Sequence, residues 1–459
     1  MTTQHTQSPV SKQAPSHELT LSAAKHKPVS IDFHNAQVSS DGGLLVLREI
    51  EKHVGVVSAF ADTIRDRRHA SYVDHSLYEL LAQRIGQIAC GYEDANDSDA
   101  LRSDPVFKLF AGRLPESDPD LASQPTITRL ENSISRTMLY RLARTLMENF
   151  IRSYEQPPEI VVLDLDDTDD VVHGGQQLRL FNDYVDEYCF QPLHVYEGSS
   201  GRLITTILRP GKRAKGKEVL TILKRLVTYL RQAWPDTMIV IRADSHFTAP
   251  EVLAWCDAQS NVRLVLGLSK NNRLEEEMTT ARASAKKLYE RHGRPVCLFH
   301  SFLYAAKTWH RLYRVIGKGE YSAQGENLRF IVTDIERLGA QALYREVYCA
   351  RGAAELRIKD HKRYLKSDRT SCHRFEANQF RLFLHSAAYV LLHALREQLL
   401  RTRRWRGATF ETLRLRLLKI GTRVQELKTR IKIEWPLSHP DREVLTRRLQ
   451  LLETLRLQT

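Results

Sequence analysis

Three short segments of the sequence place carboxylates on predicted secondary structure elements, where the carboxylates could together bind metal. Residues 162–168 (VLDLDDT) and 240–245 (VIRADS) each have the pattern of an apolar strand that ends in aspartate, and residues 348–355 (YCARGAAE) that of a helix carrying a glutamate. Mg²⁺ takes oxygen ligands and keeps open positions for phosphate and water. Two such ions about 4 Å apart activate an attacking oxygen and stabilise the leaving one. The three segments therefore predict a two-metal phosphoryl-transfer site.

The third segment opens a spaced set of polar residues, Y-x2-R-x3-E-x6-K, formed by Tyr348, Arg351, Glu355 and Lys362. At about 100° per residue, an α-helix would place the four side chains within an arc of roughly 60°. A carboxylate on that face could bind metal while the guanidinium and ammonium groups bind phosphate oxygens. The alternative is a surface helix with an i,i+4 ion pair between Arg351 and Glu355.

The first segment belongs to a cluster of five aspartates within residues 164–170. Such a cluster repels itself unless a cation or a basic surface offsets the charge, which favours a metal site. Asp164 and Asp166 share one strand face, and Asp167 points to the other. Alternation does not choose between the first two, but the position at the strand end favours Asp166. The alternative is a solvated acidic turn.

The second segment places Asp244 directly after an apolar strand. The carboxyl ends of strands are preferred ligand sites in α/β sheets. The alternative is a helix N-cap formed by Asp244 or Ser245. His246 could contact a phosphate, although a histidine beside a strand end is more often structural.

Two further features could contact nucleic acid. Residues 209–217 (RPGKRAKGK) form a dense basic loop, in which Lys212 and Arg213 are candidates for contact with a phosphate backbone. Trp309 could stack on an unpaired base. The alternatives are a solvated loop and a tryptophan buried in a hairpin.

The elements that must position these residues indicate an α/β protein. Strands followed by alternating helices and strands predict a mixed sheet with helices packed on it, and three consecutive strands follow within residues 296–335. In chain order, the predicted segments are a disordered tail (1–28), a mainly helical DNA-binding region (29–156), the first part of the catalytic core (157–268), a β-rich insertion (269–345), the end of the core (346–400) and a basic helical region (401–459).

The composition favours a polyanionic partner in a reducing compartment. The formal charge is +13, and residues 401–459 hold 15 Lys and Arg against 6 Asp and Glu. The six cysteines are scattered without zinc-ligand spacing, as expected of free thiols in a cytoplasm. No run approaches the roughly 20 apolar residues of a membrane span, and the first 28 residues lack the apolar core of a secretory signal.

With these residues the sequence resembles bacterial insertion-sequence transposases of the DDE class, in the group with a Y-R-E-K signature. Beyond that signature, the resemblance is carried by residues 164–168 (DLDDT), 242–245 (RADS) and 377–381 (ANQFR). It implies a ribonuclease H-like core interrupted by a β-strand insertion. It also implies a catalytic, metal-binding triad of Asp166, Asp244 and Glu355, with two Mg²⁺ ions as cofactor and Mn²⁺ as the substitute.

The resemblance further assigns DNA contacts and a reaction. Tyr348, Arg351 and Lys362 would contact phosphates at the transposon end, and Trp309 stands where the family's insertion often carries a tryptophan that holds a flipped base. The implied reaction is cut-and-paste transposition, with cleavage at terminal inverted repeats and strand transfer into target DNA. The implied partners are double-stranded DNA and a second copy of the chain in a synaptic dimer, in the bacterial cytoplasm at the nucleoid.

Two other functions fit parts of the sequence. A metal-dependent nuclease without strand transfer would share the site. A non-catalytic DNA-binding regulator would share the basic C-terminal region, but it would have no use for three carboxylates, which repel phosphate unless a metal intervenes.

Overall fold

A computed structural model describes residues 19–31, 37–399, 405 and 407–456. Within these ranges the α-helices, in chain order, are α1 (Leu44–Val54), α2 (Val56–Thr63), α3 (Leu77–Cys90), α4 (Asp97–Leu101), α5 (Pro105–Phe110), α6 (Gln124–Ser133), α7 (Arg136–Arg152), α8 (Gly216–Ala233), α9 (Pro250–Asp257), α10 (Asn272–Glu277), α11 (Thr279–His292), α12 (Ala340–Ala342), α13 (Gly352–Lys359), α14 (Phe375–Leu399), α15 (Phe410–Leu413) and α16 (Arg442–Arg456).

The strands, in chain order, are β1 (Leu19–Ala24), β2 (Lys27–Ile31), β3 (Val38–Ser39), β4 (Ile160–Asp167), β5 (Asp170–Val171), β6 (Leu180–Asn182), β7 (Glu187–Phe190), β8 (Leu193–Glu197), β9 (Leu203–Ile207), β10 (Met238–Ala243), β11 (Val262–Leu268), β12 (Val296–Tyr304), β13 (Tyr313–Ser322), β14 (Gly325–Thr333), β15 (Thr422–Glu426) and β16 (Ile431–Glu434). No helix in the described ranges is long and apolar enough to cross a membrane.

A mixed sheet of eight strands forms the centre of the molecule, in the order β12-β13-β14-β11-β10-β4-β8-β9. β4, β10 and β11 are parallel neighbours, and the flanking strands are antiparallel. Asp164 of β4 lies opposite Arg242 of β10, and Leu165 lies opposite Ala243. Because β4 and β10 run in the same direction and in this register, their carboxyl ends meet at one edge of the sheet.

The two faces of β4 serve different purposes. Val161, Leu163 and Leu165 are fully buried in a core that also contains apolar residues of α8 and α9. The alternate residues Asp164 and Asp166 point to the opposite face, where α13 contacts the strand. The period of two along the strand therefore separates the packing side chains from the acidic ones.

α14 joins the N-terminal helices to the sheet. This helix contacts α1, α3, α6 and α7 as well as β9. Its Phe380 and Tyr389 are fully buried in a hydrophobic core that contains apolar residues of these N-terminal helices. A buried ion pair between Arg84 of α3 and Glu131 of α6, at 3.1 Å, lies beside Arg381 of α14. The helices of residues 44–152 therefore share one core with the helix that follows the Y-R-E-K segment.

Several elements that the sequence predicts are present at their expected places. The apolar patterns of residues 44–54, 216–233 and 262–268 predict a helix, a helix and a strand, and the structure has these elements with the same bounds. The three antiparallel strands expected within residues 296–335 are also present, as β12 to β14. They do not form a separate layer, because β14 pairs with β11 and so extends the central sheet.

Other elements differ from the expectations. The C-terminal region, expected to be helical, contains the hairpin β15–β16, which pairs with β3. Alternating burial along β15 gives it the period of a strand, which the basic composition concealed. Residues 19–28 of the expected disordered tail belong to the hairpin β1–β2, which ends at Ile31. The rest of that tail, residues 1–18, lies outside the described residues.

Candidate active site

The geometry around the end of β4 separates the two aspartates that the sequence left open. Asp164 is fully buried and forms a two-pronged ion pair with Arg242, with Nε to Oδ1 at 2.5 Å and Nη2 to Oδ2 at 2.7 Å. Arg357 of α13 lies 3.7 Å from its Oδ2. Both carboxylate oxygens of Asp164 are therefore occupied by arginine, whereas Asp166 lies nearer the open edge.

Arg351 lies between Asp166 and the glutamate of the third segment. Its Nη1 is 2.8 Å from Oδ2 of Asp166, and its Nη2 is 3.1 Å from Oε1 of Glu355. The expected i,i+4 pair between Arg351 and Glu355 is thus present, but the same guanidinium also reaches the strand. The guanidinium of Arg351 therefore bridges two of the three predicted carboxylates.

The pKa of Asp166 reflects the crowding of carboxylates at this edge. Burial, together with the charges of Asp244, Asp167 and Glu355, raises it to about 7 against the lowering effect of Arg351. Such charge effects fall off with distance, so the predicted triad of Asp166, Asp244 and Glu355 lies within electrostatic reach around Arg351.

Asp244 begins a short 3₁₀ turn, Ser245–Phe247, directly after β10. Its Oδ1 accepts a hydrogen bond from the backbone N–H of His246 at 2.8 Å, so the capping role that the sequence left open is present. The imidazole Nδ1 of His246 lies 3.8 Å from Oδ2 of Asp244 and 3.7 Å from Oδ1 of Asp167. The turn thus holds Asp244 beside the end of β4.

The hydroxyl of Tyr348 reaches the same turn. A Cβ atom added at Gly267 of β11 would lie 2.7 Å from that hydroxyl and 2.7 Å from the backbone nitrogen of Ser245. Burial raises the pKa of Tyr348, and the nearby charge of Asp244 adds to the effect. Glycine in the apolar run of β11 therefore leaves the space in which Tyr348 and the Asp244 turn meet. A glycine inside a strand is a known sign of such close approach, and it was the signal that sequence reasoning missed.

The segment that carries the Y-R-E-K residues is helical but is not one α-helix. A π-helical stretch (Leu343–Tyr348) leads into a 3₁₀ turn (Cys349–Arg351), then α13, then a second π-helical stretch (Asp360–Tyr364). The four residues are therefore not carried by one regular α-helix, and the angle between successive side chains changes with each change of helix type.

Lys362 lies beside the end of β4. Its Nζ donates to the carbonyl of Asp169, lies 3.3 Å from Oγ1 of Thr168, and lies 3.7 Å from Oδ1 of Asp170. Burial raises the pKa of Asp170 to about 8, although Lys362 opposes the shift. Lys362 thus places a positive charge along the acidic segment that follows β4.

The basic loop of residues 209–217 is fixed to the site by its first residue. Arg209 is buried and bridges Asp167 at 3.2 Å and Glu218 at 3.0 Å. Nη2 of Arg213 donates to the carbonyl of Ser245 at 3.0 Å, which places this side chain against the Asp244 turn. Lys212 is exposed on the same loop.

Trp309 lies away from these groups, in the connection between β12 and β13. Its ring is half-buried and packs edge-on against Tyr304 and Tyr313, with centroid separations of 5.5 Å in both pairs. This packing agrees with the alternative that the sequence left open, a tryptophan buried in a hairpin. Its contact with a DNA base stays a prediction.

The three predicted carboxylates are of the chemical type that binds a hard divalent cation, but they do not stand close enough together in this structure to hold one ion. Asp166, Asp244 and Glu355 offer carboxylate oxygens, which Mg²⁺ and Mn²⁺ prefer. Across the ranges that the structure describes, no three His, Cys, Asp or Glu side chains stand close enough together to hold one metal ion. The guanidinium of Arg351 lies where two of the three carboxylates would converge.

Carboxylates at two neighbouring strand ends and on an adjacent helical segment are the arrangement expected of the DDE class. The chain belongs to the family described as "Transposase DDE domain group 1", whose model matches residues 21–457. No curated protein matches the chain. A solved structure of a piggyBac transposase synaptic complex with hairpin DNA is similar over 84% of this chain and 83% of that chain, with 11% identity and a TM-score of 0.40. This similarity is too low to inform individual residues.

Proposed function

We propose that this protein is an insertion-sequence transposase that moves its element by cut-and-paste transposition. It cleaves DNA at the terminal inverted repeats and joins the freed 3′-hydroxyl to target DNA. Asp166, Asp244 and Glu355 are the proposed catalytic carboxylates. The observation that supports the proposal is that Asp166 and Asp244 stand at the ends of neighbouring parallel strands, while Arg351 joins Asp166 to Glu355. Membership of the transposase family supplies the reaction class.

The proposed cofactor is Mg²⁺, as two ions, with Mn²⁺ as the substitute. The oxygens of Asp166, Asp244 and Glu355 would hold it, since all three are hard ligands and carry charge opposite to that of the cation. When bound, the cation would supply Lewis-acid activation of the attacking hydroxyl and of the scissile phosphate.

The side chains around the triad bind and orient DNA in this proposal. Arg351, with its planar fork, and Lys362, as a point charge, are proposed to bind phosphate oxygens at the transposon end. Arg213 and Lys212 are proposed to contact the phosphate backbone beside the scissile bond, because their loop touches the Asp244 turn through Arg213. The hydroxyl of Tyr348 is proposed to donate to a phosphate oxygen.

The proposed site also couples cation binding to release of a proton from Asp166. The pKa of about 7 for Asp166 means that the cation-free protein keeps a large share of this carboxyl protonated at neutral pH. Release of that proton is therefore coupled to the arrival of positive charge at the site. Strand transfer needs two transposon ends in one complex, so the proposed active assembly is a homodimer on double-stranded DNA.

The test is cleavage of a labelled duplex that carries the element's own terminal repeat, taken from the DNA that flanks the gene. Mg²⁺-dependent cuts at the repeat boundary, absent with EDTA, are expected. Asp244→Asn and Glu355→Gln should abolish cleavage but leave binding of the duplex largely intact. Exposed Asp183→Asn and Glu346→Gln are the matched controls and should cleave normally. Specific binding without any cutting would instead favour a DNA-binding regulator, and cutting without joining a nuclease.

A further inference from the structure

The guanidinium of Arg351 supplies positive charge to Asp166 and Glu355 in this structure. It is bonded to Asp166 at 2.8 Å and to Glu355 at 3.1 Å, and its side chain is only 17% exposed. Glu355 is 63% exposed, so this carboxylate would be free to turn towards solvent if the guanidinium did not hold it. Arg351 therefore arranges the two carboxylates around itself.

A divalent cation at these carboxylates would meet two obstacles, because the guanidinium already occupies one oxygen of each and carries charge of the same sign. Oδ2 of Asp166 is the atom that Arg351 contacts, and it belongs to one of the three proposed metal ligands. Within the described residues no three metal-ligating side chains stand close enough together to hold an ion, and the guanidinium is bonded to both Asp166 and Glu355. Release of Arg351 from Asp166 would free Oδ2 and remove the charge repulsion, so cation binding favours that release.

Displaced arginine needs a new anion, and a DNA phosphate has the matching shape. A phosphate offers two oxygens to the planar guanidinium fork, as a carboxylate does. Arg351 also lies in the 3₁₀ turn between a π-helical stretch and α13, and a 3₁₀ interruption within a helix often marks a functional hinge.

We propose that Arg351 is an internal counter-ion, which occupies the Asp166–Glu355 pair in DNA-free protein and exchanges to a DNA phosphate when a divalent cation enters. The inference rests on the proposed function of the site. It makes cation binding and DNA binding mutually dependent, because each ligand removes what opposes the other. Linkage requires the effect to be reciprocal: DNA must raise cation affinity by the same factor as the cation raises DNA affinity. Such an enzyme would load its metal at DNA ends rather than in free solution.

The test is a titration of DNA-free protein with Mn²⁺ alone, with unbound Mn²⁺ measured by electron paramagnetic resonance. Arg351→Gln should bind Mn²⁺ about tenfold more tightly than the unchanged protein, in line with the loss of a charge-assisted hydrogen bond to a ligand oxygen. Exposed Lys359→Gln removes the same charge four residues after Glu355 and is the matched control, with an expected change below about twofold.

Arg351→Lys separates occupancy from charge. Lysine keeps the positive charge but cannot bridge two carboxylates with a planar fork. Counter-ion exchange predicts that this variant binds Mn²⁺ more tightly than the unchanged protein, whereas a simple charge effect predicts no change. A terminal-repeat duplex should tighten Mn²⁺ binding in the unchanged protein and much less so in Arg351→Gln. Unfolding midpoints of both variants establish that they fold.

Equal Mn²⁺ affinity in the unchanged protein, Arg351→Gln and Arg351→Lys would overturn the inference. Failure of the proposed function has a different signature, since Asp244→Asn would then retain both Mn²⁺ binding and DNA cleavage. If Asp244→Asn loses both while Arg351→Gln leaves Mn²⁺ affinity unchanged, only the counter-ion role fails.

Discussion

Asp164 and Asp166 lie two residues apart on one face of β4, yet their substitution by asparagine should have different effects. Asp164→Asn should lower stability, whereas Asp166→Asn should abolish DNA cleavage. Asp164→Asn leaves Arg242, which is only 4% exposed, without its charged partner. Removing one member of a buried ion pair costs about 3–5 kcal/mol. The loss should lower the stability of the sheet, because the pair joins β4 to β10, and Nη1 of Arg242 also bonds the carbonyl of Val347.

Asp166→Asn removes a charge that burial and neighbouring carboxylates already oppose, as the pKa of about 7 shows. We therefore expect an unfolding midpoint equal to or above that of the unchanged protein, together with complete loss of DNA cleavage. Asp164→Asn should keep measurable cleavage under conditions in which it is folded.

Urea-induced unfolding followed by tryptophan fluorescence measures the first property, since Trp234 is buried in the core beneath the sheet. The terminal-repeat cleavage assay measures the second. The reasoning is refuted if Asp164→Asn is as stable as the unchanged protein, or if Asp166→Asn cleaves DNA normally.

Three further changes have expected outcomes. The added methyl group of Gly267→Ala would press against the backbone of Ser245 and the hydroxyl of Tyr348, so DNA cleavage should fall by about 100-fold. Circular dichroism should show an intact fold, and normal cleavage would contradict this expectation. Trp309→Ala should lower stability by about 2 kcal/mol in urea unfolding, since its half-buried ring packs on two tyrosines; an unchanged midpoint with lost DNA affinity would favour base stacking instead. Because the folded pKa of Asp166 exceeds its unfolded value of about 3.8, this group's contribution to stability should fall as pH rises from about 4 to about 7 in cation-free protein. Unfolding midpoints measured across this range should therefore decline less in Asp166→Asn than in the unchanged protein, in which Asp170 and Glu51 also contribute to the decline, and an equal decline would contradict this.

The positions of the candidate residues could be predicted wherever a local pattern fixes them. An apolar run that ends in aspartate is visible in the sequence, and the parallel pairing of β4 with β10 then brings Asp166 and Asp244 to one edge. The strand end already favours Asp166 over Asp164 in the sequence, and the structure adds that Arg242, across the strands, occupies both oxygens of Asp164.

The helical signature was less predictable than its spacing suggests. An α-helical period was assumed from Tyr348 to Lys362, and two π-helical stretches with a 3₁₀ turn between them change that period. Such departures depend on packing against β4 and β11, which spacing along one segment does not encode. The role of Arg209 as the anchor of the basic loop was hidden for the same reason, since its partner Asp167 is 42 residues away.

The most direct test of the central claim is to locate the bound cation in the protein. Fe²⁺ would replace Mg²⁺ in the complex with terminal-repeat DNA, and peroxide with ascorbate would then cut the polypeptide near the ion. The account predicts cuts close to Asp166, Asp244 and Glu355, all suppressed by excess Mg²⁺ and lost together in Asp244→Asn. Cuts confined to other segments, or cuts that persist in that variant, would contradict the claim that these three carboxylates form one metal site.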